Sequence, residues 1–277
     1  LLRKHLFALL GAALLLFGAP RGASAAGGEA AQAGSGSTLS VTLTLYIQGL
    51  TLGTVELTST VDADSYRSVS RLKTEGIITL LWKQTIQATA SGRIRQDRFQ
   101  PSLYDAFVVK SDGSNEQISL TYAENGPPKL FVNPPFMDSV KIEIPAKQQM
   151  ESLDPVSAMT FLLAGAPSRE PGGRLVDVYD GRRHYVIALA RRAAATIRLD
   201  NGLYAGPGLQ CNVTYRQVSG AGQQVLEGKS SLPTAQAMVA SFTSKQNGHT
   251  YHVPLRLWAD TPYGRVAAVA TAATLDG

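Results

Sequence analysis

The residues best placed to do chemistry lie in "VDVYDGRRHYVIAL", Val176–Leu189. Asp177 and His184 flank the pair Asp180-Gly181, which is followed by Arg182 and Arg183. A carboxylate bonded to an imidazole can orient a general base, and a hydroxyl brought alongside would complete a nucleophilic triad. Asp-Gly between two alternating segments is equally the signal of a two-residue type I′ hairpin. That turn sets Tyr179 opposite Arg182, Val178 opposite Arg183, Asp177 opposite His184 and Val176 opposite Tyr185. One face then carries Val176, Val178, Tyr185, Ile187 and Leu189 and reads as core. The other carries Asp177, Tyr179, Arg182 and His184 and reads as the solvent side. On a wet face an Asp–His cross-strand pair contributes a few tenths to about 1 kcal/mol, so the stretch reads as a turn and not as a catalytic centre. Ser157 offers no nucleophile elbow, because the chain holds no G-x-S-x-G.

The remaining reactive types are scattered. His249 and His252 sit three apart in "GHTYHV" with no Cys or carboxylate cluster beside them, which leaves a metal site without ligands. "GPGLQ" at Gly206 lacks the strand–loop–helix context and the Lys of a phosphate loop. Asp and Glu are spread over turns, so no carboxylate pair for glycoside chemistry can be placed. Cys211, the only cysteine, lies in the alternating run "LQCNVTY" and reads as a small buried hydrophobe. The expectation is a non-enzymatic protein with no catalytic residue, no metal and no cofactor. Its formal charge of +5 is mild and scattered. Nucleic-acid binders cluster Lys and Arg on one face with interleaved aromatics, so no nucleic-acid partner is expected.

Period-two patterning dominates the elements that must position these residues. In "LSVTLTLYIQG", Val41, Leu43, Leu45 and Ile47 face one way. Val55, Leu57 and Val61 mark a second strand, and "SYRSVSRLKT" reads as a third that is polar on both faces. Further strands are expected in "IITLLWKQTIQATASGRI", "SLYDAFVVKS", "QISLTYAE", Val140–Ile144, "QCNVTY", "HVPLRLW" and "GRVAAVA". About a dozen short strands separated by frequent turns make an antiparallel sandwich, barrel or curled sheet. The expected fold class is all-β: a curled sheet, half-barrel or β-spiral around one buried apolar helix. That helix is "DPVSAMTFLLAG", with Asp154 as N-cap, Pro155 at the first helical position, and Gly165 and Pro167 as its stop. Val156, Met159, Thr160, Leu162 and Leu163 form its apolar stripe. "NPPFM", Asn133–Met137, reads as a rigid loop whose Phe136 and Met137 plug the apolar interior, in preference to the alternative of a partner contact.

The start of the chain predicts its location. Arg3 and Lys4, the apolar run Leu6–Phe17 and Ala23-Ser24-Ala25 compose the charged, apolar and cleavage regions of a secretory signal. The apolar run is shorter than the roughly 20 residues of a membrane-spanning helix. The expected organisation is a signal peptide at 1–25, a flexible Ala/Gly/Ser tether at 26–38 and one β domain at 39–277. No stable transmembrane segment is expected after signal cleavage. The expected location is the periplasm of a Gram-negative bacterium.

Several stretches carry a family resemblance by their order: "LYIQGLTLG", "DPVSA", "VYDGRRHY", Cys211 and "VPLRLWADTPYGRVAAV". Over about Tyr46–Val269 the chain resembles the exported proteobacterial proteins known as domain of unknown function 3108. The resemblance implies a periplasmic, mostly antiparallel β protein of uncharacterised activity. The general build is similar to periplasmic half-barrels and β-spirals that carry lipoproteins or maintain the envelope.

The leading functional expectation is a binding or scaffolding protein of the cell envelope. Its curled sheet would leave an apolar groove lined by Leu43, Leu45, Trp82, Phe161, Leu162 and Trp258, suited to an acyl chain or lipopeptide. The partner would then be a lipid or an envelope protein. The rival expectations are a structural, partner-docking protein with a filled core, and a hydrolase with converging Ser, Asp and His.

Overall fold

In the computed structural model the described residues are 36–76, 79, 83–136, 144–165, 173–220, 233–262 and 264–276. The signal segment, the expected tether as far as residue 35, Trp82, Met137, Val140 and Pro167 therefore lie outside them, whereas Ser37 and Thr38 of that tether already belong to the first strand. The first half of the chain forms β1 (Ser37–Ile47), β2 (Leu50–Val61), β3 (Ser65–Thr74), β4 (Gln84–Arg95), β5 (Arg98–Lys110), β6 (Asn115–Thr121) and β7 (Lys129–Asn133). Two helices follow, α1 (Ala146–Glu151) and α2 (Pro155–Ala164). The second half forms β8 (Arg174–Tyr179), β9 (Arg183–Arg198), β10 (Ala205–Gly220), β11 (Ala235–Thr243), β12 (Thr250–Thr261) and β13 (Gly264–Leu275).

All thirteen strands join one antiparallel sheet in the order β7-β6-β5-β4-β3-β2-β1-β13-β12-β11-β10-β9-β8. Each neighbour in that order is a hairpin partner except one pair, β1 with β13. The chain thus lays down two meanders and joins them where its first and last strands meet. Register shifts at Thr42/Leu43, Leu45/Tyr46, Ser91/Gly92, Gln210/Cys211 and Met238/Val239 add local twist, which curls a sheet. The end strands β7 and β8 do not pair, so the sheet stays open. They nevertheless come close: a Cβ built on Gly181, at φ +87°, would lie 2.8 Å from Leu130 and 3.1 Å from Ile118. Tyr179 of β8 packs with Tyr104 and Leu120 of the other meander. The free edge of β8 is capped by Leu153, whose N–H donates to Asp177 O and whose carbonyl accepts from Tyr179 N.

The curl encloses α2. Asp154 Oδ1 accepts from the Val156 and Ser157 amides at 3.0 and 2.8 Å, satisfying two orphan donors at the helix start. Pro155 occupies the first turn, where its missing N–H costs nothing. Gly165 ends the helix with its N–H on Phe161 O. The helix is buried on most sides, including Val156, Ser157, Ala158, Thr160 and Leu163.

Room for it comes from small inward residues on β3–β5: Ser68, Ser70, Ala88, Ala90 and Ala106. The alternation of β3 is therefore not polar on both faces for solvent. Ser68 bonds Ser59 and Thr160 at 2.9 and 2.6 Å inside the protein. Thr160 joins this polar seam; it does not belong to the apolar stripe.

Three further expectations are corrected. Phe136 is no plug: it is 36 % exposed, with the Arg182 guanidinium over its ring at 5.1 Å. The β8–β9 hairpin pairs Tyr179 with His184 and Val178 with Tyr185, two residues away from the type I′ register. Gly181 and Arg182 form the loop, and Gly181 alone takes positive φ, as in a type II′ turn. Asp180 Oδ1 fixes that turn by accepting from the amides of Arg182 and Arg183. A shift of two keeps every side chain on its expected face, so Val176, Val178, Tyr185 and Ile187 are core. Tyr179 and His184 are nonetheless buried, at 4 % and 5 % exposure, because other segments cover the face expected to be wet.

Candidate ligand cavity

Small side chains on one wall leave space between α2 and the sheet. The sheet wall is made by Ala235 and Ala237 of β11, Ala259 of β12 and Ala268 of β13, which pairs with Leu45, together with Leu43 and Leu45 of β1 and Val55 and Leu57 of β2. Met159, Leu162 and Leu163 of α2 form the floor, and Ile187, Leu189 and Val213 the far side. The space measures about 240 Å³ and is a cleft, not a sealed void. That lies just under the roughly 300–1,000 Å³ of drug-sized sites, so it fits one slender apolar chain or a small apolar molecule. Exposed Thr214 and half-buried Pro233, Ala259 and Val266 stand at its border. No Lys, Arg, Asp or Glu occurs among the described residues of its wall.

Of the six residues expected to line a groove, Leu43, Leu45 and Leu162 meet here. Phe161 does not: it turns away to an edge-on contact with Phe99, ring centres 5.6 Å apart. Trp258 touches the cavity. Its place between Leu257 and Ala259, opposite Gln236 and Ala267, puts its side chain on the outer face, where Arg256 lies 6.0 Å from its ring. Trp82 is outside the described residues.

The polar residues at its wall are Tyr185, Thr214, Tyr215 and His252, but His252, between fully buried Tyr251 and Val253 and opposite exposed Ser241, carries its side chain on the outer face as Trp258 does. His252 Nδ1 shares a hydrogen with Ser241 Oγ at 2.9 Å. Burial, then the Arg174 charge and then His249 push its imidazole down to about 4, so it is neutral at ordinary pH. Burial pushes the Tyr215 phenol up to about 12, so it too is uncharged.

The floor is held rigid at both ends. Arg174, 2 % exposed, donates from Nη1 to Leu162 O at 2.6 Å and Phe161 O at 3.2 Å. His249 Nε2 donates to Ala164 O at 2.6 Å. These donors satisfy terminal carbonyls and complement the negative end of the helix. At the other end Ser157 Oγ donates to Asp154 Oδ2 at 2.5 Å, and Tyr66 OH bonds Ser157 Oγ at 2.7 Å. Burial raises the Asp154 carboxyl to about 6 despite those bonds. The sequence marked Asp154 as a cap but not as a buried acid, because what buries it comes from distant strands.

The hairpin pair forms as expected in outline: His184 Nε2 lies 2.9 Å from Asp177 Oδ1. Ser219 is the cross-strand neighbour of His184. Its hydroxyl donates to Gln148 Oε1 of α1 at 2.7 Å, so its proton is not directed at the imidazole. Cys211 is fully buried beside Leu189, Ala237 and Val239. Among the described residues no group of three His, Cys, Asp or Glu side chains is placed to hold a metal ion. No helix among them is long and apolar enough to cross a membrane.

An open, curled antiparallel sheet around a capped internal helix, with an uncharged cleft beside that helix, defines a barrel-like β protein built around an apolar interior. The chain belongs to the family described as Protein of unknown function (DUF3108), whose profile matches residues 40–271. No curated protein matches it. Among solved structures it is similar to a beta-barrel-like protein of domain of unknown function DUF1849 from Brucella abortus. That likeness has 10 % identity and a TM-score of 0.41, covering 87 % of this chain and 97 % of that one.

Proposed function

We propose that this is an exported, non-enzymatic binding protein of the bacterial cell envelope that holds an apolar chain, from a lipid or lipopeptide, against α2. The observation that carries this reading is the cleft of about 240 Å³ whose described wall is almost wholly apolar and has no charged residue. Burying apolar surface is worth about 25 cal/mol per Å², and apolar residues make up most of this wall. The charged, apolar and small-residue regions of 1–25 support export to the periplasm. The direction of the Ser219 hydroxyl supports a binding role over hydrolysis.

Delipidated protein is expected to take up a fluorescent medium-chain fatty acid saturably, with one site per chain. Native mass spectrometry of protein purified from its own host is expected to show a retained amphiphile. No saturable uptake, together with a bare native mass, would sink the reading. A second reading, a docking protein, rests on β7, a five-residue edge strand with Leu130 40 % and Phe131 54 % exposed. A protein partner in the native mass spectrum, with no small ligand, would favour it.

A further inference from the structure

We infer that Arg192, Gln236 and Arg256 form a head-group site on the outer face of the sheet, beside the mouth of the cleft. The ligand is then an amphiphile with an anionic head, a phosphate or a carboxylate. The inference rests on the proposed apolar-ligand reading and names the ligand class for that site.

The mouth lies where the sheet parts. β10 and β11 pair only from Leu209/Val239 to Val213/Ala235. Beyond that point Thr214 and Tyr215 run on without β11, and Thr214, Ala235 and Ala259 border the cleft. Gln236 is the next residue of β11 and stands opposite Trp258, the neighbour of Ala259. Ala237 and Leu257 line the cleft, so the period of two turns Gln236 and Trp258 outward.

The groups presented on that outer face are donors and cations. Gln236 Oε1 accepts from Gln210 Nε2 at 2.8 Å and from Arg192 Nη1 at 3.4 Å. Its acceptor is thereby engaged, and what it offers a ligand is its Nε2 hydrogens. The Arg256 guanidinium lies 6.0 Å from the centre of the Trp258 ring. Arg192 and Arg256 are exposed, and neither forms an ion pair among the described residues. Asp260, the next carboxylate along the same face of β12, is committed to Arg265 at 2.8 and 3.1 Å. Two guanidinium groups and an amide donor without a local countercharge complement a carboxylate or phosphate.

The cleft and this patch divide an amphiphile between them. An ionised head drawn into the uncharged cleft would lose its hydration uncompensated. Left at the mouth, it keeps water and gains the two arginines, while its chain lies against α2.

The test is displacement of the neutral fluorophore N-phenyl-1-naphthylamine from the full protein by decyl phosphate, 1-decanol, decyltrimethylammonium and inorganic phosphate, each below its micelle concentration. At low ionic strength decyl phosphate should displace about three- to tenfold better than 1-decanol, the factor of two exposed charge contacts. Added salt should shrink that advantage, decyltrimethylammonium should be weaker than 1-decanol, and inorganic phosphate should leave the fluorophore in place. Arg192→Gln combined with Arg256→Gln should erase the phosphate advantage and leave displacement by 1-decanol unchanged. Arg67→Gln combined with Arg98→Gln, which removes the same charge from exposed positions on β3 and β5, should leave the advantage intact. Equal displacement by decyl phosphate and 1-decanol, an advantage that survives the first double variant or falls equally in the second, or displacement by inorganic phosphate would overturn the head-group site while leaving the cleft as a binding site. No fluorophore binding by the unmodified protein would overturn both.

Discussion

Asp154 shows at the scale of one residue how a cap becomes a titrating group. Its side chain serves two backbone amides and one hydroxyl, all of which favour the carboxylate. Full burial outweighs them, and the carboxyl rises from 3.8 to about 6. The sign follows from linkage: the folded state holds this proton more tightly than the unfolded chain does. The associated stability is fully present below about pH 3.8 and is lost as pH rises through about 6. Its size is on the order of 3 kcal/mol, from 1.36 kcal/mol per unit. Asp154→Asn keeps an acceptor for Val156 and Ser157 but cannot titrate. Urea unfolding of both proteins between pH 4 and 7 should therefore show the unmodified protein losing stability relative to the variant as pH rises. Parallel curves would refute a buried, protonatable Asp154. The sequence identified the cap from its Asp-Pro pair; the burial that raises the carboxyl depends on residues such as Tyr66, 88 positions earlier.

At the scale of the element, α2 is held by residues from the other half of the chain. Arg174 and His249 reach its last carbonyls from β8 and from the turn before β12. Arg174→Leu would leave the Leu162 carbonyl buried without this donor. The expected cost is about 2–4 kcal/mol in urea unfolding, with weaker ligand uptake because Leu162 and Leu163 are the cavity floor. A loss below about 0.5 kcal/mol would mean that the helix end needs no such donor. The start, capping and stop of α2 were legible because they are local: Asp-Pro at one end, Gly165 at the other. Its stripe was only partly legible. Thr160 looked like part of an apolar face until the serines of β2 and β3 appeared beside it. The hairpin behaves likewise: Asp-Gly announced a turn, yet Gly181 rather than Asp180 opens its two-residue loop, moving the pairing by two. Faces survived because the side-chain period is two.

At the scale of the whole molecule, the cavity exists because the alanines of β11–β13 leave room beside the larger residues of β1, β2 and α2. Ala237, fully buried on that wall, is the position to fill. Ala237→Leu should cut uptake of a fluorescent fatty acid at least severalfold while changing stability by less than about 1–3 kcal/mol, the range for added core volume. Undiminished uptake would place the ligand elsewhere. A fully packed interior would have no position with that behaviour.

Strand periodicity, turn residues and the capped apolar segment determined an antiparallel curled sheet with one internal helix, because each depends on neighbours a few residues apart. They could not reveal α1, β7 or β11, whose short or mixed patterns are weak signals. Nor could they tell which apolar residues would share a cavity. Leu43, Leu45 and Leu162 meet while Phe161 turns aside and Trp258 points outward, although all five looked alike in the chain. The closure of β1 against β13 decided that, together with the bulges that set the curl. Adjacency across the interior is a property of the closed surface, and no stretch of sequence contains both of its sides.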